Sequence, residues 1–166
     1  MEFMDVVKKR RSIRKYKPDR VPKAEIEYVL EAARLAPSWA NRQCWRYIVV
    51  TDEATRKRIT MTEWAAKAPV VIVACGDPSK AGNRDGKPYY MLDMGISMEH
   101  LVLAASEHGL GTCWLGGQFD EKTVREALGV PESHRIVAMT PLGYPDESPP
   151  AKERKPLPEL ATWEKW

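Results

Sequence analysis

Five consecutive residues near the amino end, Arg10-Arg11-Ser12-Ile13-Arg14, carry the densest chemistry in the chain. Arg10 and Arg14 are four apart, so a persisting helical turn brings both guanidinium groups together, with the Ser12 hydroxyl nearby. Such a set holds a phosphate or another delocalised anion through charge-assisted hydrogen bonds. Residues 8 to 20 contain eight basic side chains against Asp19 alone, a local charge of +7 in a chain whose total is +3, so the remainder sums to −4. An anionic partner is implied: a phosphate-bearing cofactor, a nucleic acid or an acidic surface. A solvated basic helix end accounts for the cluster equally well on its own, because Lys and Arg favour the last turn of a helix.

A second set lies at Pro37-Ser38-Trp39-Ala40-Asn41-Arg42-Gln43-Cys44-Trp45. Ser38, Asn41 and Gln43 can bond polyols and heterocycle edges, and they fall between a helix end and a strand, where loops present function. Ser and Asn also stabilise turns, so this stretch alone decides nothing. Other chemistries are poorly supported. There is no Gly-x-Ser-x-Gly elbow. Gly109-Leu110-Gly111 is followed by Trp114 at the position of the third glycine and trails a helix, which argues against a dinucleotide fingerprint, and no Walker-type phosphate loop occurs. His100, His108 and His134 lack metal-ligand spacing, so no metal site is expected.

Regular elements must position these residues. Phe3, Val6 and Val7 predict a helix that runs into the basic stretch and stops before Pro18. Ile26, Val29, Leu30, Ala33 and Ala36 predict a second helix between Pro22 and Pro37, followed by a strand over 45–51. Asp52 caps a third helix through about Lys67, and Pro69 opens the apolar run 70–75, the best candidate for a central strand. Residues 76 to 88 read as a surface excursion, and Leu92, Ile96 and Leu103 give a long helix over 89–108 stopped by Gly109. Residues 111–117 are a short strand or extended loop. Asp120 caps another helix to about Leu128, and a strand over 136–140 is closed by Pro141. The tail after Tyr144 holds five prolines yet ends in Leu157, Leu160, Trp163 and Trp166, so it should pack on its own body or on a second subunit.

With 166 residues, 43% of them hydrophobic, the chain is long enough for one core, and a single domain over 1–166 is expected. No apolar stretch approaches the roughly 20 residues of a membrane span, and the first residues are charged instead of signal-like. Cys44, Cys75 and Cys113 are odd in number and far apart, which points to a reducing, cytoplasmic setting and to small buried hydrophobes.

Taken together, four stretches resemble the flavin-binding nitroreductase family: Arg-Arg-Ser-Ile-Arg-Lys-Tyr at 10–16, Pro-Ser-x-x-Asn-x-Gln at 37–43, Gly-Leu-Gly-Thr-Cys-Trp-Leu-Gly-Gly at 109–117 and Gly-Tyr-Pro at 143–145, with Lys152-x-Arg154 near the end. The order and spacing of the set make the match specific. The resemblance implies an α+β fold with a mixed, largely antiparallel sheet flanked by helices, a homodimer, and a C-terminal arm, 145–166, packing on the partner. It implies FMN as cofactor. Arg10, Arg11, Ser12 and Arg14 would contact its phosphate, ribityl or pyrimidine edge, and Lys152 and Arg154 would complete the phosphate clamp. Leu115, Gly116 and Gly117 would bring backbone N–H groups towards flavin N5 and O4, and Ser38, Asn41 and Gln43 would approach from the partner subunit.

The reaction implied is ping-pong: NADH or NADPH reduces the flavin, and a nitroaromatic, quinone or similar electron-poor acceptor takes the electrons from N5. No catalytic side chain is needed, since the cofactor carries the chemistry. An arginine beside N1 and the C2 carbonyl favours the anionic reduced ring. Cys44 stands where a proline commonly follows the glutamine, Gly116 where relatives carry an acid, and 76–88 is short, so an open pocket is expected. Trp39, Trp45 or Trp114 could stack on the ring, and core packing is the alternative for each. Two other readings remain. One is a flavin store or sensor without turnover. The other is nucleic-acid binding through residues 8–20, against which stand the acidic remainder and the lack of interleaved aromatics other than Tyr16.

Overall fold

The computed structural model describes residues 2–166. In chain order the elements are α1 (Phe3–Lys9), α2 (Lys23–Arg34), β1 (Trp45–Val50), α3 (Glu53–Ile59), α4 (Glu63–Ala66), β2 (Val70–Gly76), β3 (Asn83–Arg84), β4 (Lys87–Pro88), α5 (Tyr89–Glu107), β5 (Gly111–Thr112), α6 (Glu121–Leu128) and β6 (Arg135–Gly143). Single 3-10 turns lie at Trp39–Asn41, Pro78–Lys80 and Leu157–Glu159. The main sheet has the order β1-β2-β6-β5 with every strand pair antiparallel, and β3 and β4 form a separate small hairpin. This is the expected α+β architecture.

The run 70–76 is central because both faces of β2 are covered. Val70, Ile72 and Ala74 point to one side, where α2 and α5 pack, whereas Val71, Val73 and Cys75 point to the other, against Ile59, Ala65 and Val124 of α3, α4 and α6. A register shift between Ala74 and Cys75 skips Val137 on β6. The bulge puts Ile136 and Ala138 on opposite faces, although a regular strand places residues two apart on the same one.

Three local expectations change. The helix expected over 52–67 breaks at Thr60, which is extended, into α3 and α4. On α5 the buried face is Asp93, Met94, Ser97, Met98, Leu101, Val102, Ala104 and Ala105, whereas Leu92 and Ile96 are 54% and 41% exposed. Both rows of this long helix are apolar, so periodicity could not tell which one meets the sheet. Finally, β6 continues through Pro141 to Gly143. Met139 exchanges both backbone bonds with Leu115, so Pro141, two residues on, faces the same edge. There the neighbouring Cys113 N–H donates to Thr140 Oγ1 (3.2 Å), and no donor is required of residue 141.

Candidate functional site

α1 stops at Lys9, short of the helix expected to reach Pro18, and the arginine segment is extended. Ile13 N donates to Thr112 O (2.8 Å), with a parallel bridge between Ser12 and Thr112. Lys17 N donates to Tyr144 O and Asp146 N to Lys15 O, both at 2.9 Å. Residues 12–17 therefore add a short irregular edge beside β5 and the end of β6. In extended chain, side chains alternate. Ile13 is buried, and Arg10, Ser12 and Arg14 line a common cavity. They converge through a two-residue period instead of the helical turn expected from their spacing.

Two glycines make this edge possible. A Cβ on Gly111 would stand 2.8 Å from Ile13 Cγ1, and one on Gly143 would stand 2.7 Å from Pro69 Cδ and 3.1 Å from the Tyr16 ring. Tyr16 is part-buried and donates its hydroxyl to Ile13 O (2.6 Å), and burial pushes the phenol far above its usual range. Glu147 Oε1 accepts the N–H groups of Arg14 and Lys15.

The cavity encloses about 860 Å³ and joins the two ends of the chain: Arg10, Arg11, Ser12 and Arg14 on one wall, Lys152 and Arg154 on another. Arg11 is turned back onto α1, donating to Lys8 O (2.6 Å) and Arg10 O (2.8 Å), while its Nε is buried without a partner. The Arg14 guanidinium lies over the Trp64 ring, 5.8 Å from the centroid. Arg154 reaches the carbonyls of Lys152 and Glu153 (3.5 and 3.3 Å). Among the described residues, the Arg10 and Lys152 side chains have no hydrogen-bond or ion-pair partner.

The second set is built differently. Ala40, Asn41 and Gln43 all have positive φ (46°, 54° and 48°), a conformation costing a side-chain-bearing residue about 1 kcal/mol. Tertiary bonds hold it. The buried Asp93 of α5 accepts from Trp39 N (2.9 Å) and from the Cys44 thiol (3.7 Å), Ser38 Oγ accepts from Gln43 N (2.9 Å), and Gln43 Nε2 donates to Asn41 O (3.2 Å). Trp39 stacks on Tyr89, with centroids 6.3 Å apart. None of Ser38, Asn41 or Gln43 lines the arginine cavity.

Leu115 is buried with both backbone groups bonded to Met139, and it anchors the exposed Gly116-Gly117 turn, beside which Trp114 stands half-exposed. Trp45 packs against the core. The three cysteines are free and buried, and burial first, with Asp93 also acting on Cys44, pushes Cys44 and Cys75 up to about 11 and lifts Cys113 as well. Such thiols stay protonated near neutrality and act as packing groups. The histidines stand apart: His108 meets Glu25 (2.6 Å), His100 meets Ala32 O (3.2 Å) and His134 meets Ser133 (3.0 Å). Among the described residues no cluster could hold a metal ion, and no helix is long and apolar enough to cross a membrane.

Sequence reasoning missed Asp93, Glu147 and Trp64. Asp93 was detectable as the one acid in the otherwise uncharged stretch 91–98 of α5. The other two had no signal, because their partners are distant in the chain.

Comparison with known proteins places this arrangement in a class. The pattern of the Nitroreductase family matches residues 7–63 and 61–144. A protein of Thermus thermophilus named NADH dehydrogenase is 32% identical, covering 93% of this chain and 92% of its own. A nitroreductase family protein of Clostridium difficile 630 is 32% identical over the whole of both chains, with a TM-score of 0.89. The structure titled FMN-dependent nitroreductase from Clostridium difficile R20291 is 29% identical over 98% of this chain and 99% of its own, with a TM-score of 0.84. The chain belongs to the nitroreductase family and is an oxidoreductase.

Proposed function

We propose that the protein is an FMN-dependent NAD(P)H oxidoreductase working as a homodimer. The observation that carries this reading is the convergence of Arg10, Ser12 and Arg14 with Lys152 and Arg154 on one cavity. The donor set fits a phosphate: planar guanidinium forks, an ammonium and a hydroxyl, with Arg10 and Lys152 unengaged and the Arg11 Nε orphaned. When bound, FMN supplies the redox chemistry, accepting two electrons from NADH or NADPH and returning them to a nitroaromatic, quinone or similar electron-poor acceptor in a ping-pong sequence.

The chain's own residues bind and orient. Arg10, Ser12, Lys152 and Arg154 would hold the phosphate, and Arg14, steadied by Trp64, would favour negative charge on the adjacent ring. Gly116 and Gly117 offer exposed backbone N–H groups with no side chain to block approach. The strained 38–43 loop would close the site from the partner subunit. A dimer is supported by exposed apolar residues on adjacent elements, Phe3, Met4 and Val7 of α1 with Leu92 and Ile96 of α5, and by the arm 145–166, whose Leu157, Leu160, Trp163 and Trp166 are all exposed on the protomer.

The test is the double variant Arg10→Ala with Arg14→Ala. With both proteins freed of flavin, its melting temperature should stay within about 2 °C of the parent, and its yellow flavin absorbance as purified should fall at least tenfold. Full chromophore content in that variant would refute the proposal. Rapid mixing of the parent with NADH and NADPH should bleach the bound flavin, and no bleaching with either would make the protein a flavin store.

A further inference from the structure

The two walls of the arginine cavity are held unequally. The first, residues 10–14, belongs to the extended edge, which Ile13 N ties to Thr112 O and Lys17 N ties to Tyr144 O. The second, Lys152 and Arg154, lies past the end of β6 on the arm. At the root of that arm Asp146 N donates to Lys15 O, and Glu147 Oε1 accepts the N–H groups of Arg14 and Lys15, the latter at 3.1 Å. Among the described residues, no hydrogen bond or ion pair joins any residue after Glu147 to the body of the protein.

We propose that Glu147 is a positioning residue, the tie that aims Lys152 and Arg154 at a phosphate bound by Arg10 and Ser12. Its carboxylate bonds the backbone of one wall, and its own backbone leads into the other. The spacer that follows, Ser148-Pro149-Pro150-Ala151, transmits the aim. Both prolines have a fixed φ, and Ser148 and Pro149 each precede a proline, which restricts them to extended backbone. Ala151 is the one unrestricted residue of the four. Such a spacer is a semi-rigid rod of about 3.1 Å per residue, so an orientation lost at its root is lost at Lys152 as well. Glu147 also lines the small cavity next door with Arg10 and Arg11, where its negative charge opposes an incoming phosphate. Any help it gives to phosphate binding must therefore come through position.

This inference rests on the FMN reading for its ligand. It is tested on full-length protein freed of flavin, titrated with FMN, inorganic phosphate and riboflavin, which lacks the phosphate. Glu147→Ala removes the acceptor and frees the root of the arm, so FMN and phosphate should bind about three- to tenfold more weakly, with riboflavin within about twofold of the parent. Glu147→Gln keeps an oxygen acceptor without the charge, and it should bind FMN and phosphate at least as tightly as the parent. Loss of Lys152 and Arg154 together, as alanines, should cost less FMN affinity in the Glu147→Ala background than in the parent, because misplaced groups have less to lose. Pro149→Gly with Pro150→Gly leaves the tie in place and loosens the spacer, and it should weaken FMN and phosphate but not riboflavin. The inference is overturned if Glu147→Ala leaves FMN and phosphate affinity unchanged or weakens riboflavin by the same factor. It is equally overturned if Glu147→Gln weakens binding as Glu147→Ala does, if the cost of losing Lys152 and Arg154 is undiminished, or if the glycine pair has no effect. If no version binds FMN while phosphate still weakens in Glu147→Ala alone, the FMN reading fails and the tie stands.

Discussion

The arginine edge and the Ser38–Gln43 loop are both rich in polar side chains, yet they are held in opposite ways. Along the edge, backbone bonds to Thr112 and Tyr144 fix residues 13–17, and the Arg10, Ser12 and Arg14 side chains line one cavity, with Arg14 resting over Trp64. In the loop the backbone is strained at three residues, and side chains hold it: Asp93 on Trp39 and Cys44, Ser38 on Gln43. A hydrogen-bonded extended backbone leaves its side chains available for a ligand, whereas a strained one needs them for support. Substitutions in the edge should change what binds, and substitutions at the loop's anchors should change whether the chain folds.

The strongest challenge to that contrast is Asp93→Ala. It leaves the Trp39 N–H and the Cys44 thiol without an acceptor and frees a strained loop, an expected loss of about 2–3 kcal/mol and about 5–10 °C in melting temperature. A loss as small as that of the arginine double variant would erase the distinction. Gly111→Ala probes the edge's dependence on its neighbour. The added methyl meets Ile13 at 2.8 Å, so about 2 kcal/mol of stability should be lost by denaturant titration, with flavin retention falling because Ser12 moves with Ile13.

Ala40→Gly acts in the other direction. It relieves a φ of 46° at the expense of a more flexible unfolded chain, and a net gain of about 0.5 kcal/mol is expected from the same titration. No gain would mean that the loop carries no strain at that residue. Asp146→Asn should matter least. Asp146 is bonded to Lys15 at 2.9 Å in full solvent, and that bond holds its carboxyl below the usual range. A depressed folded value means that its contribution is present above the ordinary carboxylate pKa and disappears as pH falls through the folded one. Melting curves of parent and variant should therefore differ slightly at pH 7 and coincide both in strong acid and in high salt.

Much of this was legible in the chain itself. The buried run at 70–76 announced a central strand, Asp120 and Asp52 capped helices as their types dictate, and the four motifs identified the family through order and spacing. Composition and charge located the cationic segment. These features are local, so covalent neighbours alone express them. Tertiary structure decided the rest. It turned an expected helical pair, Arg10 and Arg14, into alternate residues of an extended edge, because Thr112 and Tyr144 offered backbone partners that no local pattern reveals. It chose which apolar row of α5 meets the sheet, carried β6 through Pro141, and brought Lys152 and Arg154 to the arginine edge from the other chain end. Each of those outcomes depends on atoms far apart in the chain meeting in space, and a sequence pattern holds no record of such meetings until the backbone has closed around them.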